Sequence, residues 1–217
     1  MASRQGRATR ARTAGARARR LVPRDERRVQ ILEAAAALFS QRGFAGTTTR
    51  QIAAAVGTSE TVLFRHFPTK ESLYTALLER WTSAADVDRW LAELRVLADR
   101  CDDEALFRAV ATAILESYRR DPAYHRLMLF AALEDHGLAR IAHVRYSAPL
   151  TSFLREYVAR RQASGAFRRI RPELVVHMLL SAAAQYAQWS ALGVNPLALS
   201  DDDVARQAVT LLAGLRA

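Results

Sequence analysis

The chain has 217 residues, half of them hydrophobic, with only 9 glycines and 6 prolines, which suits a small domain joined to a larger one and leaves few turn residues. No stretch reaches the roughly 18 uninterrupted apolar residues of a membrane span, and Cys101 stands alone, so neither an intrachain disulfide nor a cysteine metal cluster can form. A cytoplasmic protein with no membrane partner is expected. The net charge of +10 is unevenly placed, because residues 1–24 hold eight arginines and no acid, leaving +2 for residues 25–217.

Residues 1–24 intersperse those arginines with Ala, Gly and Thr and cannot bury enough apolar surface to order themselves, so they read as a disordered basic arm. No signal-peptide apolar core follows. The composition also suits a solvated extension or an organellar transit peptide. Arginine outnumbers lysine 31 to 1 over the whole chain, so the placement of charge carries the argument and its chemical type does not.

The next segment, RRVQILEAAAALFSQRGF, puts Ile31, Leu32, Ala35, Ala36, Leu38 and Phe39 on one helical stripe. Gly43 offers a C-terminal stop and Phe44 a residue to pack back on it. Residues 48–67, TTRQIAAAVGTSETVLFRHF, then show two short helical patterns around a turn with one glycine. Ile52, Ala53 and Val56 form the first apolar face, Gly57 closes that helix, and Leu63 and Phe67 resume the face beyond it. Thr48 and Gln51 have capping-box spacing, and Ser59 is a good N-cap for the second helix. This is the pattern of a helix-turn-helix, although spacing alone also allows an ordinary helical hairpin. Pro68 ends the second helix, and Thr69 starts another with Lys70 in its first turn.

The run ILEAAAALFSQRGFAGTTTRQIAAAVGTSETVLFRHFPTKESLYTALL, within residues 29–78, resembles the N-terminal domain of the TetR family of bacterial transcription regulators. The resemblance covers the first-helix stripe, the RGF turn, the Thr cluster, the IA…VG turn and the FRHFPTKESL run. It implies an all-α fold: a three-helix helix-turn-helix head over residues 25–70 and a C-terminal helical ligand-binding and dimerisation domain over 71–217. It also implies DNA contacts. Thr48 and Thr49 would touch phosphates, Thr58, Ser59, Glu60, Thr61 and Val62 would approach the groove, Phe64, Arg65 and His66 would follow, and Lys70 would clamp the backbone. Hydroxyls and exposed N–H groups at helix starts suit phosphate oxygens, and Arg and Lys supply charge. Where the family usually has Lys-Gly this chain has Glu60-Thr61, and where it usually has a phosphate-donating tyrosine this chain has Phe64. The basic arm is placed to follow phosphates or enter a minor groove.

Beyond the fourth helix, periodicity predicts helices at about 86–100, 103–120, 123–134, 138–163, 172–192 and 201–215, punctuated by Asp121-Pro122, Asp135-His136-Gly137, Ser164-Gly165 and Gly193-Val194-Asn195-Pro196. Pro149 should kink or break the helix that contains it. The segment LVVHMLLSAAAQYAQWSAL is apolar nearly all round, which implies burial on more than one side. Ser200 and Asp203 have capping-box spacing ahead of a face made by Val204, Ala208, Leu211, Leu212 and Leu215. These last two helices, about 172–192 and 201–215, are expected to pair with a second copy, with His177 at the seam; finishing the monomer core is the alternative.

Residues with an apolar body and a polar tip on these helices are candidate ligand-binding groups: Tyr118, Tyr124, His143, Tyr146 and Tyr157, with Phe107, Met128, Phe130 and Phe153 nearby and Tyr186 and Trp189 further along. They suit an unknown small apolar or aromatic effector, or a plain helical core. No phosphate loop, nucleophile elbow or paired-His motif is present, so neither an enzyme nor a cofactor is expected. The function expected is a homodimeric, sequence-specific regulator of transcription that binds a pseudo-palindromic double-stranded operator, a repressor released by its ligand. The alternative is a ligand-independent, tail-driven DNA-coating protein.

Overall fold

The computed structural model describes residues 23–81, 84–134, 137–194 and 198–216. The basic arm up to Val22 and the turn residues 135–136 and 195–197 lie outside the described residues. Eleven α-helices are named in this part: α1 (Arg24–Arg42), α2 (Thr49–Val56), α3 (Glu60–His66), α4 (Lys70–Trp81), α5 (Ala84–Asp99), α6 (Asp103–Arg120), α7 (Pro122–Leu133), α8 (Gly137–Ala142), α9 (Ala148–Ala163), α10 (Pro172–Ala191) and α11 (Asp201–Leu215). The fold is all-α, with a helix-turn-helix head followed by a helical bundle.

Local chemistry sets the ends of the short helices. Thr48 and Gln51 close a reciprocal capping box on α2, Ser59 Oγ accepts from the Val62 amide at the start of α3, and Gly57 ends α2 in the left-handed region at φ 69°. Each such cap is worth about 1 kcal/mol. Helices of 7 and 8 residues are too short to stand alone in water, so the caps act together with burial. Ile52 and Leu63 are fully buried, and Phe67 nearly so, in a cluster with Ile31, Phe39, Leu73 and Tyr74.

That cluster continues onto Leu127, Ala131 and Ala142, so the head sits on α7 and α8. A second cluster unites α5, α6, α9, α10 and α11 around Leu94, Leu106, Phe107, Val110, Leu154 and Leu179. Within it the Asp103 carboxylate accepts from Arg161 Nη2 at 2.7 Å, from Arg161 Nε at 2.9 Å and from the Tyr157 hydroxyl. Burial, reinforced by that neighbouring carboxylate, pushes the Tyr157 phenol above its ordinary range.

Two expectations change in detail. The helix expected over 138–163 is split: α8 passes into a π-helical turn at His143–Ser147, and α9 begins with Pro149 in its first turn, where a missing N–H breaks no helical bond. The apolar face of α11 is covered by α6 and α10 of the same chain, with Val204, Ala208, Leu212 and Leu215 buried, because α6 lies central to the bundle. Cys101 is exposed at the turn before α6, with φ 55°.

Candidate nucleic-acid interface

The outward face of α3 is built by pinning its inward face. Leu63 is fully buried, while Thr61 and Arg65 are exposed and Phe64 is 41% exposed. Val62, Glu60, His66 and Thr58 are half-buried, and Thr48 and Ser59 lie exposed at the helix starts. The residues named from the sequence for DNA contact thus lie along α3 and at the starts of α2 and α3, with Lys70 opening α4.

Glu60 does not project freely. Its Oε1 accepts a 2.6 Å hydrogen bond from the Thr49 hydroxyl, tying the start of α3 to the start of α2. The same bond engages the Thr49 hydroxyl expected on a phosphate. Lys70 is drawn over the Phe44 ring, 4.0 Å from its centroid, and burial lowers its pKa from the ordinary value. Phe44 itself stacks on Phe39 and leans on Tyr74, so the ammonium rests on an aromatic platform.

Two arginines at the start of α1 complete the surface. Arg27 Nη1 donates to the Val56 carbonyl at 3.3 Å and Arg28 Nη1 to the His66 carbonyl at 3.1 Å, so each cation sits at the C-terminal end of one helix of the pair. Positive charge is favourable there because the last carbonyls of a helix are unpaired and carry the negative end of its dipole. The Arg28 guanidinium also stacks over Phe67 at 4.3 Å. Burial, then Arg24, Arg65, Arg28 and Arg27 in that order, lowers the pKa of His66. The imidazole therefore senses a concentration of positive charge beside α3. Sequence reasoning missed Arg27 and Arg28; their only local signal was two adjacent arginines at a helix start.

The ligand candidates are not brought together. Phe107 and Tyr157 are buried within the large cluster, with Phe153 and Tyr118 packed at its margin. Tyr124 and Met128 pack against the head cluster instead, and His143 is exposed in the π-helical turn. Phe130 joins Leu129, Leu133 and Leu192 along a separate cleft of about 420 Å³. The Tyr146 side chain lies outside the described residues. Tyr118 stacks on His125 with centroids 3.5 Å apart and borders a cleft with Tyr186 and Asp201. Two of the polar tips that suggested a pocket are engaged inside the chain, the Tyr157 hydroxyl donating to Asp103 and the Tyr186 hydroxyl to the Leu199 carbonyl at 2.7 Å, and among the described residues no buried side-chain N or O lacks a partner. A cleft of about 850 Å³ lies elsewhere, between α5, α6, α9 and α10, lined by apolar Trp90, Ile114, Leu150 and Leu180 and by charged Asp86, Glu93, Glu116 and Arg120.

Residues 31–77, which contain all of α2 and α3, match the family model for bacterial regulatory proteins of the tetR family. The HTH-type transcriptional regulator RutR of Escherichia coli O157:H7 is 31% identical over 163 residues, covering 74% of this chain and 73% of that protein. The chain belongs to the TetR family. It is accordingly a DNA-binding regulator of transcription. Solved structures agree on the fold: HlyIIR, a hemolysin II transcriptional regulator, has a TM-score of 0.63 at 18% identity over 90% of this chain and 99% of that one. AibR in complex with isovaleryl coenzyme A and operator DNA has a TM-score of 0.58 at 21% identity over 88% and 98%. Among the described residues no helix is long and apolar enough to cross a membrane, and no group of three or more His, Cys, Asp or Glu is arranged to hold a metal ion.

Proposed function

We propose that this TetR-family chain works as a homodimeric repressor whose two heads occupy the half-sites of a pseudo-palindromic operator and leave it when a small molecule fills the C-terminal half. The observation that carries the reading is the α3 face: Thr61, Phe64 and Arg65 stand outward from a helix pinned by Leu63, amid the charge of Arg24, Arg27 and Arg28. In this reading Thr58, Ser59, Thr61, Val62 and Phe64 approach base edges and sugars, while Thr48, Arg65 and His66 meet phosphates. Thr49 and Glu60 act as a pair that fixes α2 against α3. Lys70 reaches a phosphate only by leaving the Phe44 ring.

Dimerisation is supported by α10. Leu174, Met178, Trp189 and Leu192 recur at helical spacing on one exposed stripe, with Ser181, Ala182 and Gln185 between them. The opposite side of the same helix, Val175, Val176, Leu179, Ala183 and Ala187, is already buried in the monomer. A cleft of about 820 Å³ between α10 and α11, reaching Trp189 and Leu211, gives a second copy a surface to fill. Two heads related by a two-fold axis reach successive major grooves only when they stand about 34–36 Å apart or a multiple of that. A ligand that favours another separation lowers operator affinity by its differential affinity for the two arrangements.

The cleft between α5, α6, α9 and α10 has the size of a small-molecule site, which typically runs about 300–1,000 Å³. Its mixed apolar and charged lining suits an amphiphilic effector. The presence of both a coenzyme A thioester and operator DNA in the AibR complex is in keeping with such a division of labour.

The decisive experiment measures binding to the DNA flanking the protein's own gene, with and without small-molecule extracts. Arg65→Ala should weaken specific binding by about tenfold, the loss of a good base or phosphate contact, and leave the dimer intact; loss of the dimer would move Arg65 into the fold. Deleting residues 1–24 should weaken binding to every duplex and flatten its salt dependence. Equal affinity for specific and random duplexes would favour the tail-driven coating protein instead.

A further inference from the structure

We propose that Glu134 is a positioning residue that locks the orientation of the DNA-binding head on the C-terminal half; the inference rests on the dimeric operator-binding reading above. Glu134 follows the last residue of α7. Its Oε2 accepts from the Phe44 amide at 3.0 Å, and both oxygens accept from the Ala45 amide, at 3.3 and 3.4 Å. These amides lie in the turn between α1 and α2, ninety positions away in sequence.

The turn is shaped to receive a carboxylate. Gly43 at φ 72° swings the chain so that the next two N–H groups converge, the arrangement in which successive amides hold an anion. A Cβ at Gly43 would collide with Glu134 Oε1, so the glycine serves both the left-handed backbone and the close approach. Bonds to an ionised acceptor are shorter and about twice as strong as neutral ones, and two amides on one carboxylate fix direction as well as distance. Burial lowers the pKa of Lys70 and raises that of Tyr74, and the charge of Glu134 reaches both, opposing the first shift and adding to the second.

Glu134 is the end of a line of contact. Tyr124, Leu127, Met128, Ala131 and Glu134 recur at helical spacing, and the four apolar members pack into the head cluster. The Tyr74 hydroxyl donates to the Leu127 carbonyl at 3.4 Å near the other end. Apolar packing alone lets a helix roll or slide with little loss, whereas a carboxylate on two amides does not. By contrast, the exposed Arg145–Glu79 pair at 4.0 Å contributes little restraint. Because only Asp121 separates α7 from α6, any movement of the bundle's central helix reaches the head through this line.

The test uses duplexes recovered from a randomised pool by the wild-type dimer, rebuilt with up to about five base pairs added or removed between the half-sites, half a helical turn, together with an isolated half-site. Wild type should show one sharp spacing optimum. Glu134→Ala should lose about tenfold at that optimum, within the usual range of coupling between sites, while keeping its dimer and its half-site affinity, so that the spacing profile flattens. Glu134→Gln, whose amide oxygen still accepts, should fall between. Gly43→Ala should flatten the profile from the other side of the contact and add nothing when combined with Glu134→Ala. An unchanged profile in Glu134→Ala overturns the proposal, as does an equal loss on half-site and full site, which would mark a damaged head. A wild-type dimer with no spacing optimum sinks the operator reading itself.

Discussion

The head and the C-terminal bundle reach stability by different means. In the head, helices of 7 and 8 residues depend on single groups: one cap each, and Ile52, Leu63 and Phe67 at the crossing. In the bundle, helices of 15 to 20 residues share one continuous core of more than twenty buried residues. The difference teaches where a substitution acts locally and where it spreads. It also explains why the outward face of α3 is so well defined: a short helix held at one buried leucine has few other ways to lie.

The strongest way to break this contrast is Leu63→Ala. Removing a fully buried leucine costs about 3–4 kcal/mol, and in the head no neighbouring turn of the same helix can share the loss. DNA binding should vanish while gel filtration still reports the dimer and circular dichroism keeps most of its helical signal. Loss of the dimer with the head would mean that the two regions unfold as one.

Next in size is the buried polar cluster of the bundle. Asp103→Ala leaves the Arg161 guanidinium and Tyr157 hydroxyl without their acceptor, and breaking a buried pair costs about 3 kcal/mol or more. Chemical unfolding should report this, with DNA binding by the remaining folded protein unchanged. A fall in operator affinity beyond the loss of folded protein would show that α6 strain passes through α7 to the head.

The bundle also carries a pH response. Burial pushes His125 down to about 4, against weaker opposition from its contact with Ser117 and from Asp121. Held neutral when folded, the imidazole binds fewer protons than in the unfolded chain, so its contribution is complete above about pH 6.5 and is lost as pH falls toward 4. Allowing for the part of the ring that water screens, the loss should be about 1–2 kcal/mol. His125→Phe keeps the stack on Tyr118 and should remove that slope from the unfolding free energy measured between these pH values.

The same contrast governs what the sequence disclosed. The head was legible because its signals are local: the Thr48–Gln51 box, the Ser59 cap and the left-handed Gly57 all lie within a few residues of their partners. The bundle's helices followed from periodicity and Pro149 pointed to an interruption of the 138–163 helix, but the π-helical turn at His143–Ser147 left no pattern because it shifts hydrogen bonding by one residue without changing composition. Tyr157 and Phe107 looked like pocket residues because an apolar body with a polar tip serves a ligand or a core equally well; the partner that decides, Asp103, lies 54 residues from Tyr157. Arg27 and Arg28 escaped for the same reason, with acceptors 29 and 38 residues away.

The smallest effect sharpens the comparison most. In the proposed complex Glu60 puts a carboxylate beside a polyanion, yet it also accepts from Thr49 and so ties α2 to α3. Glu60→Gln separates these roles, because the amide oxygen can still accept from the hydroxyl while the charge is gone. Operator affinity should rise by about three- to tenfold at low salt, and the gain should shrink as salt screens the removed repulsion. Glu60→Ala removes the charge and the strut together. A gain with Gln that Ala forfeits would place the carboxylate's structural role above its electrostatic cost; an equal gain with both would mean that Leu63 and Ser59 hold α3 without it.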